Sequence, residues 1–227
     1  MKTYWYLTRS TGAVSLILLT ATLVVGIVLV GRVHSEHWPR FMVDGIHRAL
    51  SLLAIVFLAV HIATAVLDSF APISLLDAVI PFAGTYRPVW LGLGAAAFDL
   101  LLAVAITSAL RERLGHRAWR AVHWFAYAVW PLAIVHGLAT GSDARQEWMA
   151  GIYVACAAAF IIAVLTRVVI GWPDRARLRL AAVGTLAAFA VGLAVWLPGG
   201  PFGPDWARRA GTPPSLLPHT VSAPRAG

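Results

Sequence analysis

Six apolar blocks, at approximately Leu7 to Gly31, Ile46 to Leu67, Val89 to Leu110, Ala118 to Ala139, Trp148 to Gly171 and Leu178 to Leu197, constrain this chain more than any other feature. Each is about as long as the roughly 20-residue helix needed to cross a hydrocarbon core. Inside a bilayer every backbone polar group must be satisfied within the protein, so only helices and closed β-barrels span it. The blocks lack the strict apolar/polar alternation of barrel strands, and the expectation is an all-α polytopic bundle of about six transmembrane helices with no soluble domain. Charge supports this: only 12% of the 227 residues are charged, against about 25% in ordinary soluble domains. The first block is too long for the apolar core of a signal peptide and no small-residue cleavage site follows it, so it reads as an uncleaved span. Residues 1–197 thus form one membrane domain, and residues 198–227, rich in Pro, Gly and Ser, read as a disordered tail.

Trp5, Trp90, Trp148, Trp172 and Trp196 sit near block ends, where amphipathic rings suit the headgroup region. Lys and Arg set the expected orientation. One side carries Lys2, Arg9, Arg87 and Arg145; the other carries Arg32, Arg40, Arg48, Arg111, Arg113, Arg117, Arg120, Arg167, Arg175, Arg177 and Arg179. The richer side is expected in the cytoplasm, which places both termini outside. Arginine loops beside anionic lipid account for the net charge of +8 without any nucleic acid. The single Cys156 lies within the fifth block and reads as a small buried residue. No Cys-x-x-Cys-His run is present for covalent haem attachment, and no nucleotide-binding glycine loop appears.

The histidines carry the chemical information. His34, His37 and His116 fall in loops and His219 in the tail, where a solvated imidazole needs no explanation. His47 and His61 lie in the second block, and His123 and His136 in the fourth. Ionisable side chains at bilayer depth are costly and mark functional sites. His61 follows His47 by 14 residues, which returns to within about 40° of the same helix face at 3.6 residues per turn. His136 follows His123 by 13, which misses by about 140° in an ideal helix; Pro131 lies between them and permits a kink or altered winding. Both blocks run in the same direction, so His47 is level with His123 and His61 with His136. Two imidazoles facing each other at one depth are what bis-histidine ligation of haem iron requires. A metal or proton transporter is the alternative for such residues, since imidazole also suits zinc. A single transport site gathers its ligands near the midplane, whereas these form two tiers roughly 20 Å apart.

Residues 111–123, Arg-Glu-Arg-Leu-Gly-His-Arg-Ala-Trp-Arg-Ala-Val-His, followed by Tyr127, Leu132, Ala133 and His136, resemble the haem-binding segment of the ferric reductase-like transmembrane domain. The stretch from His47 and Arg48 to His61 is similar to its other ligand helix, and the 14 and 13 spacings resemble those of NADPH oxidases and ferric reductases. The Leu-Gly-x-Arg-x-Trp stretch at Leu114 to Trp119 resembles the haem-bearing membrane subunit of bacterial periplasmic methionine sulfoxide reductase. The resemblance covers about residues 8–171. It implies two b-type haems per chain, an inner one on His47 and His123 and an outer one on His61 and His136. It also implies a place in a bacterial inner membrane, and an electron-transfer component of an oxidoreductase system with no catalytic residue of its own. Arg48 and Arg120, beside the inner histidines, suit haem propionates or lipid headgroups; Tyr86 and Arg87 are similarly placed for the outer haem. Asp99, mid-span in the third block, suits a hydrogen bond to a ligand, a proton relay or a structural carboxyl. Oxidases and eukaryotic ferric reductases continue into a flavin- and NADPH-binding domain. About 30 residues follow the last block here, so no such domain is expected, and a separate flavoprotein or quinol donor and an external acceptor are. The segment from Asp68 to Pro88 is long for so compact a chain and suits an outer lid or docking surface.

The charge asymmetry makes a testable prediction. A cysteine placed in the tail should react with a membrane-impermeant thiol reagent in intact cells, and one placed between Arg111 and Arg120 should not. The reverse pattern would invert the topology and exchange the inner and outer tiers.

Overall fold

The computed structural model describes residues 2–30, 39–170 and 172–217. His34, His37 and His219 lie outside them, as do residues 218–227 of the predicted tail. The spans are α1 (Lys2–Val30), α2 (Arg40–Leu67), α4 (Pro88–Ala109), the pair α5 (Arg111–His123) and α6 (Ala126–Thr140), α7 (Glu147–Ile170) and α8 (Ala176–Gly199); the short α3 (Leu75–Val79) lies between α2 and α4. Five single helices are long and apolar enough to cross a membrane, and α5 with α6 makes a sixth span bent by 43°. The protein is an all-α integral membrane bundle, and no strand occurs among the described residues.

Local chemistry sets the element ends. Pro88 opens α4, where a missing N–H costs nothing. Ser74 and Asp77 form a reciprocal capping box on α3, with the Asp77 carboxylate accepting from the Ser74 N–H at 2.8 Å. The break in the fourth span falls at Trp124 and Phe125, upstream of Pro131. Here Phe125, Tyr127 and Ala128 donate three residues back, to the carbonyls of Val122, Trp124 and Phe125. Such 3₁₀ winding advances about 120° per residue rather than 100°. The extra rotation has the sign needed to bring His136 round towards the face of His123, which a 13-residue spacing alone leaves misaligned.

α1 is the organising helix: it packs along α2 and also meets α6 and α7, while α4 packs on α6. The core gathers Leu16 of α1, Trp130 and Ile134 of α6, and Tyr153, Cys156 and Phe160 of α7. Trp130 stacks on Phe160 at 4.4 Å, and its indole N–H donates to the Thr20 hydroxyl at 2.9 Å. Cys156 is buried there, as a small core residue should be. Large apolar side chains such as Leu52, Val56, Val154 and Val195 are exposed, as expected where lipid is the solvent. α8 buries none of its residues; it packs mainly against α7, and its Trp196 reaches Trp90 of α4 at 5.0 Å.

The reading of everything after residue 197 as disordered does not hold for the described part. α8 runs on to Gly199, and residues 200–217 fold back through a short α9 (Trp206–Arg209) and a 3₁₀ turn (Pro214–Leu216). The physical reason is capture of backbone carbonyls by arginine. Arg145 donates to Pro201 and Gly203, and Arg87 donates to the Thr212 hydroxyl and to the carbonyls of Ala139 and Thr140 at the end of α6. Trp206 adds a bond to the Ala139 carbonyl at 3.0 Å and packs on Trp90 and Trp196. Proline and glycine content signalled a lack of regular structure, and these long-range anchors supply the order.

Candidate haem-ligand site

The four intramembrane histidines meet in two pairs. The His47 and His123 rings lie 6.4 Å apart, centre to centre, with planes at 64°. The His61 and His136 rings lie 6.5 Å apart, with planes at 87°. Both pairs span the seam between α2 and the α5–α6 span. An iron between two imidazoles, bound through nitrogens at about 2 Å with each ring centre about 1.1 Å further on, sets the rings roughly 6.3 Å apart. Both observed separations fit that requirement. Among the described residues no group of three or more His, Cys, Asp or Glu is gathered to hold a bare metal ion. Two imidazoles suffice as axial ligands of a haem, whose macrocycle supplies the other four nitrogens. Two fall short of the four ligands of a structural zinc.

Three of the imidazoles share one anchoring device. His61 Nδ1 pairs with the Thr8 carbonyl at 2.8 Å, His47 Nδ1 with the Thr22 carbonyl at 3.0 Å, and His136 Nδ1 with the Trp90 carbonyl at 2.9 Å. A carbonyl can only accept, so Nδ1 carries the proton in each case. Nε2 is left with its lone pair, the tautomer a metal ligand needs. In each case the ring lies over the glycine one helical turn after that carbonyl. A Cβ on Gly12 would stand 2.9 Å from His61 Cε1, one on Gly26 3.2 Å from His47 Cε1, and one on Gly94 2.5 Å from His136 Nδ1. The absent side chain lets the imidazole reach a carbonyl that already belongs to the helix ladder. Sequence reasoning missed these glycines, although Gly12 and Gly26 stand 14 residues apart, the spacing of His47 and His61. His123 differs: its Nδ1 is buried and has no hydrogen-bond partner among the described residues.

A cavity of about 280 Å³ opens between His61 and His136 and is lined also by Tyr86, Asp68 and Asp77 of the segment between α2 and α4. That segment therefore closes one end of the site. Arg9, which the sequence marks only as an orienting charge at the start of the first apolar block, borders the same cavity, ion-paired with Asp143 and stacked over Trp5 at 3.7 Å. Arg87 is turned away, capping α6 and holding residues 200–217. Arg48 and Arg120 are exposed and take part in no hydrogen bond or ion pair among the described residues. Asp99 is half-buried and also forms none.

The glycine device predicts a selective lesion. Gly94→Leu should displace His136 and weaken the uptake of added haem by the purified protein, whereas Gly151→Leu, where a Cβ meets nothing within 4 Å, should leave it unchanged. Equal haem uptake in the two variants would show that the glycine plays no part in seating the histidine.

Comparison with known proteins places these features in a family. The model of the ferric reductase like transmembrane component matches residues 11–134. The match takes in Gly12, Gly26, His47, His61, Gly94 and His123 and stops two residues short of His136. It is narrower than the 8–171 over which resemblance was read from the residues. No curated protein and no solved structure matches the chain. The match covers more than half of the chain, which therefore belongs to the family of ferric reductase-like transmembrane components.

Proposed function

We propose that this protein is a transmembrane b-type cytochrome that binds two haems, one between His47 and His123 and one between His61 and His136, and passes electrons across the membrane. The observation that carries the reading is the pair of inter-ring distances, 6.4 and 6.5 Å, each close to the separation that one iron bound on both sides would require. Family membership supports transmembrane electron transfer. The donor set supports haem over the transporter alternative, since neither pair gathers further protein ligands among the described residues.

Haem supplies one-electron chemistry when bound; the residues of this chain hold and orient it. The Thr8, Thr22 and Trp90 carbonyls fix imidazole tautomer and rotation, so each Nε2 is aimed before a ligand arrives. Apolar residues of α1, α4 and α7 form most of the wall of the His61–His136 cavity, and low polarity around an iron site is one of the levers on its potential. Arg48 and Arg120 would hold propionates on the His47–His123 side, and Arg9 and Tyr86, which line the cavity, on the other. With both termini outside, the His47–His123 tier faces the cytoplasm of a bacterial inner membrane. There a separate flavoprotein or quinol delivers electrons, and an acceptor on the far side removes them. In this reading the chain is the membrane-crossing part of an oxidoreductase system and transforms no substrate itself.

Two measurements test this. A haemochrome assay should give two haems per chain, His47→Ala and His123→Ala should remove the same one, and His61→Ala and His136→Ala the other. In liposomes with reductant outside and ferricyanide trapped inside, the haem-loaded protein should pass electrons and His61→Ala should not. One haem per chain, or a spectrum without a Soret band, would overturn the two-site reading. Direct oxidation of NADPH without an added flavoprotein would overturn the carrier role.

A further inference from the structure

One of the four ligand histidines is held differently from the rest, and the difference has a local cause in α4. Thr8 and Gly12 recur as Thr22 and Gly26 fourteen residues later, one carbonyl–glycine unit for each histidine of α2. α4 supplies the first such unit to the fourth span, Trp90 with Gly94. Fourteen residues on, the second would be Val104 with residue 108, and residue 108 is serine. The inter-helix register agrees. The Trp119 indole N–H donates to the Ser108 hydroxyl at 3.2 Å. One turn further along α5, against an antiparallel α4, His123 comes level with Val104. Yet His123 Nδ1, though buried, has no partner among the described residues. The Val104 carbonyl instead takes a contact from the Thr107 hydroxyl at 3.2 Å. What His123 does have is Trp119, packed on it at 5.0 Å with the planes tilted by 31°.

We infer that Ser108 and Trp119 are positioning residues for His123, replacing the carbonyl–glycine unit that orients the other three imidazoles, and that this makes the His47–His123 haem the higher-potential one of the two. The inference rests on the two-haem reading above. Ser108 stands where glycine stands in the other three units, and its Cβ would keep the imidazole from the carbonyl beneath. The Ser108 hydroxyl meanwhile fixes Trp119, whose ring orients His123 by packing on it. A hydrogen bond from Nδ1–H to a carbonyl makes the opposite nitrogen a stronger donor, and a stronger donor favours the more highly charged, oxidised iron. The His61–His136 site has two such bonds and the His47–His123 site one, which places the resting electron on the His47–His123 side.

The test is a redox titration of the haem-loaded full-length protein, followed optically and by EPR, with each haem assigned by the histidine variants. Ser108→Gly removes the obstructing Cβ and should lower the midpoint of the haem lost in His47→Ala while leaving the other in place. Ser108→Ala keeps the Cβ and should not lower it. Trp119→Ala should broaden or abolish the low-spin signal of that haem alone, and Trp119→Phe, which keeps an aromatic ring, should restore it. If Ser108→Gly does not retain haem, Gly26→Ala provides the converse, since its Cβ presses on His47 at 3.2 Å and should raise the same midpoint. Identical shifts in Ser108→Gly and Ser108→Ala, a shift at the other haem, or potentials that move in neither glycine exchange would overturn the inference. Failure of the two-haem reading shows itself separately, as a wild-type protein lacking two haems before any variant is made.

Discussion

An imidazole inside a bilayer has two nitrogens to satisfy, and the arrangement of this protein follows from how one of them is satisfied. A free N–H in hydrocarbon is expensive, and the only acceptors at that depth are side chains or helix carbonyls already engaged in their own ladder. Glycine makes the second choice workable: with no Cβ one turn on, the carbonyl's remaining lone pair is open to a neighbouring helix. His61 on Thr8, His47 on Thr22 and His136 on Trp90 are three uses of that one solution. The bond sets the tautomer, the tautomer aims Nε2, and the aim of Nε2 allows two rings to face each other across about 6.5 Å.

This gives α1 and α4 a role that their lack of intramembrane histidines conceals. Each presents carbonyls and glycines to the histidines of a neighbour, α1 to α2 and α4 to α6. The helices must approach closely for this, and small residues permit it, as in membrane helix pairs generally. The fold then protects these seams. α7 closes the core with Tyr153 and Phe160, the ion pair of Arg9 with Asp143 ties α1 to the end of α6, and residues 200–217 are strapped over the start of α4 by Arg87 and Trp206. Trp90 belongs to both the ligand anchor and this aromatic cluster, so the strap braces the helix that orients His136.

Much of the site was legible in the residues. The four histidines, their pairing by depth and the direction of the two spans all follow from helical rise and from alternation across a bilayer. The 13-residue spacing that misses the required face is made up in part by overwound backbone between Val122 and Ala128, upstream of Pro131, with the 43° bend between α5 and α6 beside it. Proline signals that winding will change nearby without naming the turn. Residues 200–217 were misjudged for a related reason: Pro and Gly report the absence of helix, and order can still come from guanidinium groups more than 50 residues away along the chain.

By itself, then, the sequence determined the number of spans, their lengths and the depth at which each histidine sits, because rise and rotation per residue are properties of a single helix. Which helix face meets which could not be read that way. In lipid one apolar face resembles another, and the partners are selected by fine complementarity between residues far apart in the chain. A 14-residue repeat within α1 and α4 marks Gly12, Gly26, Gly94 and Ser108, but tertiary structure alone decided that the three glycines lie under imidazoles. What a missing Cβ admits depends on contact across a seam, and no periodicity within one helix names the partner.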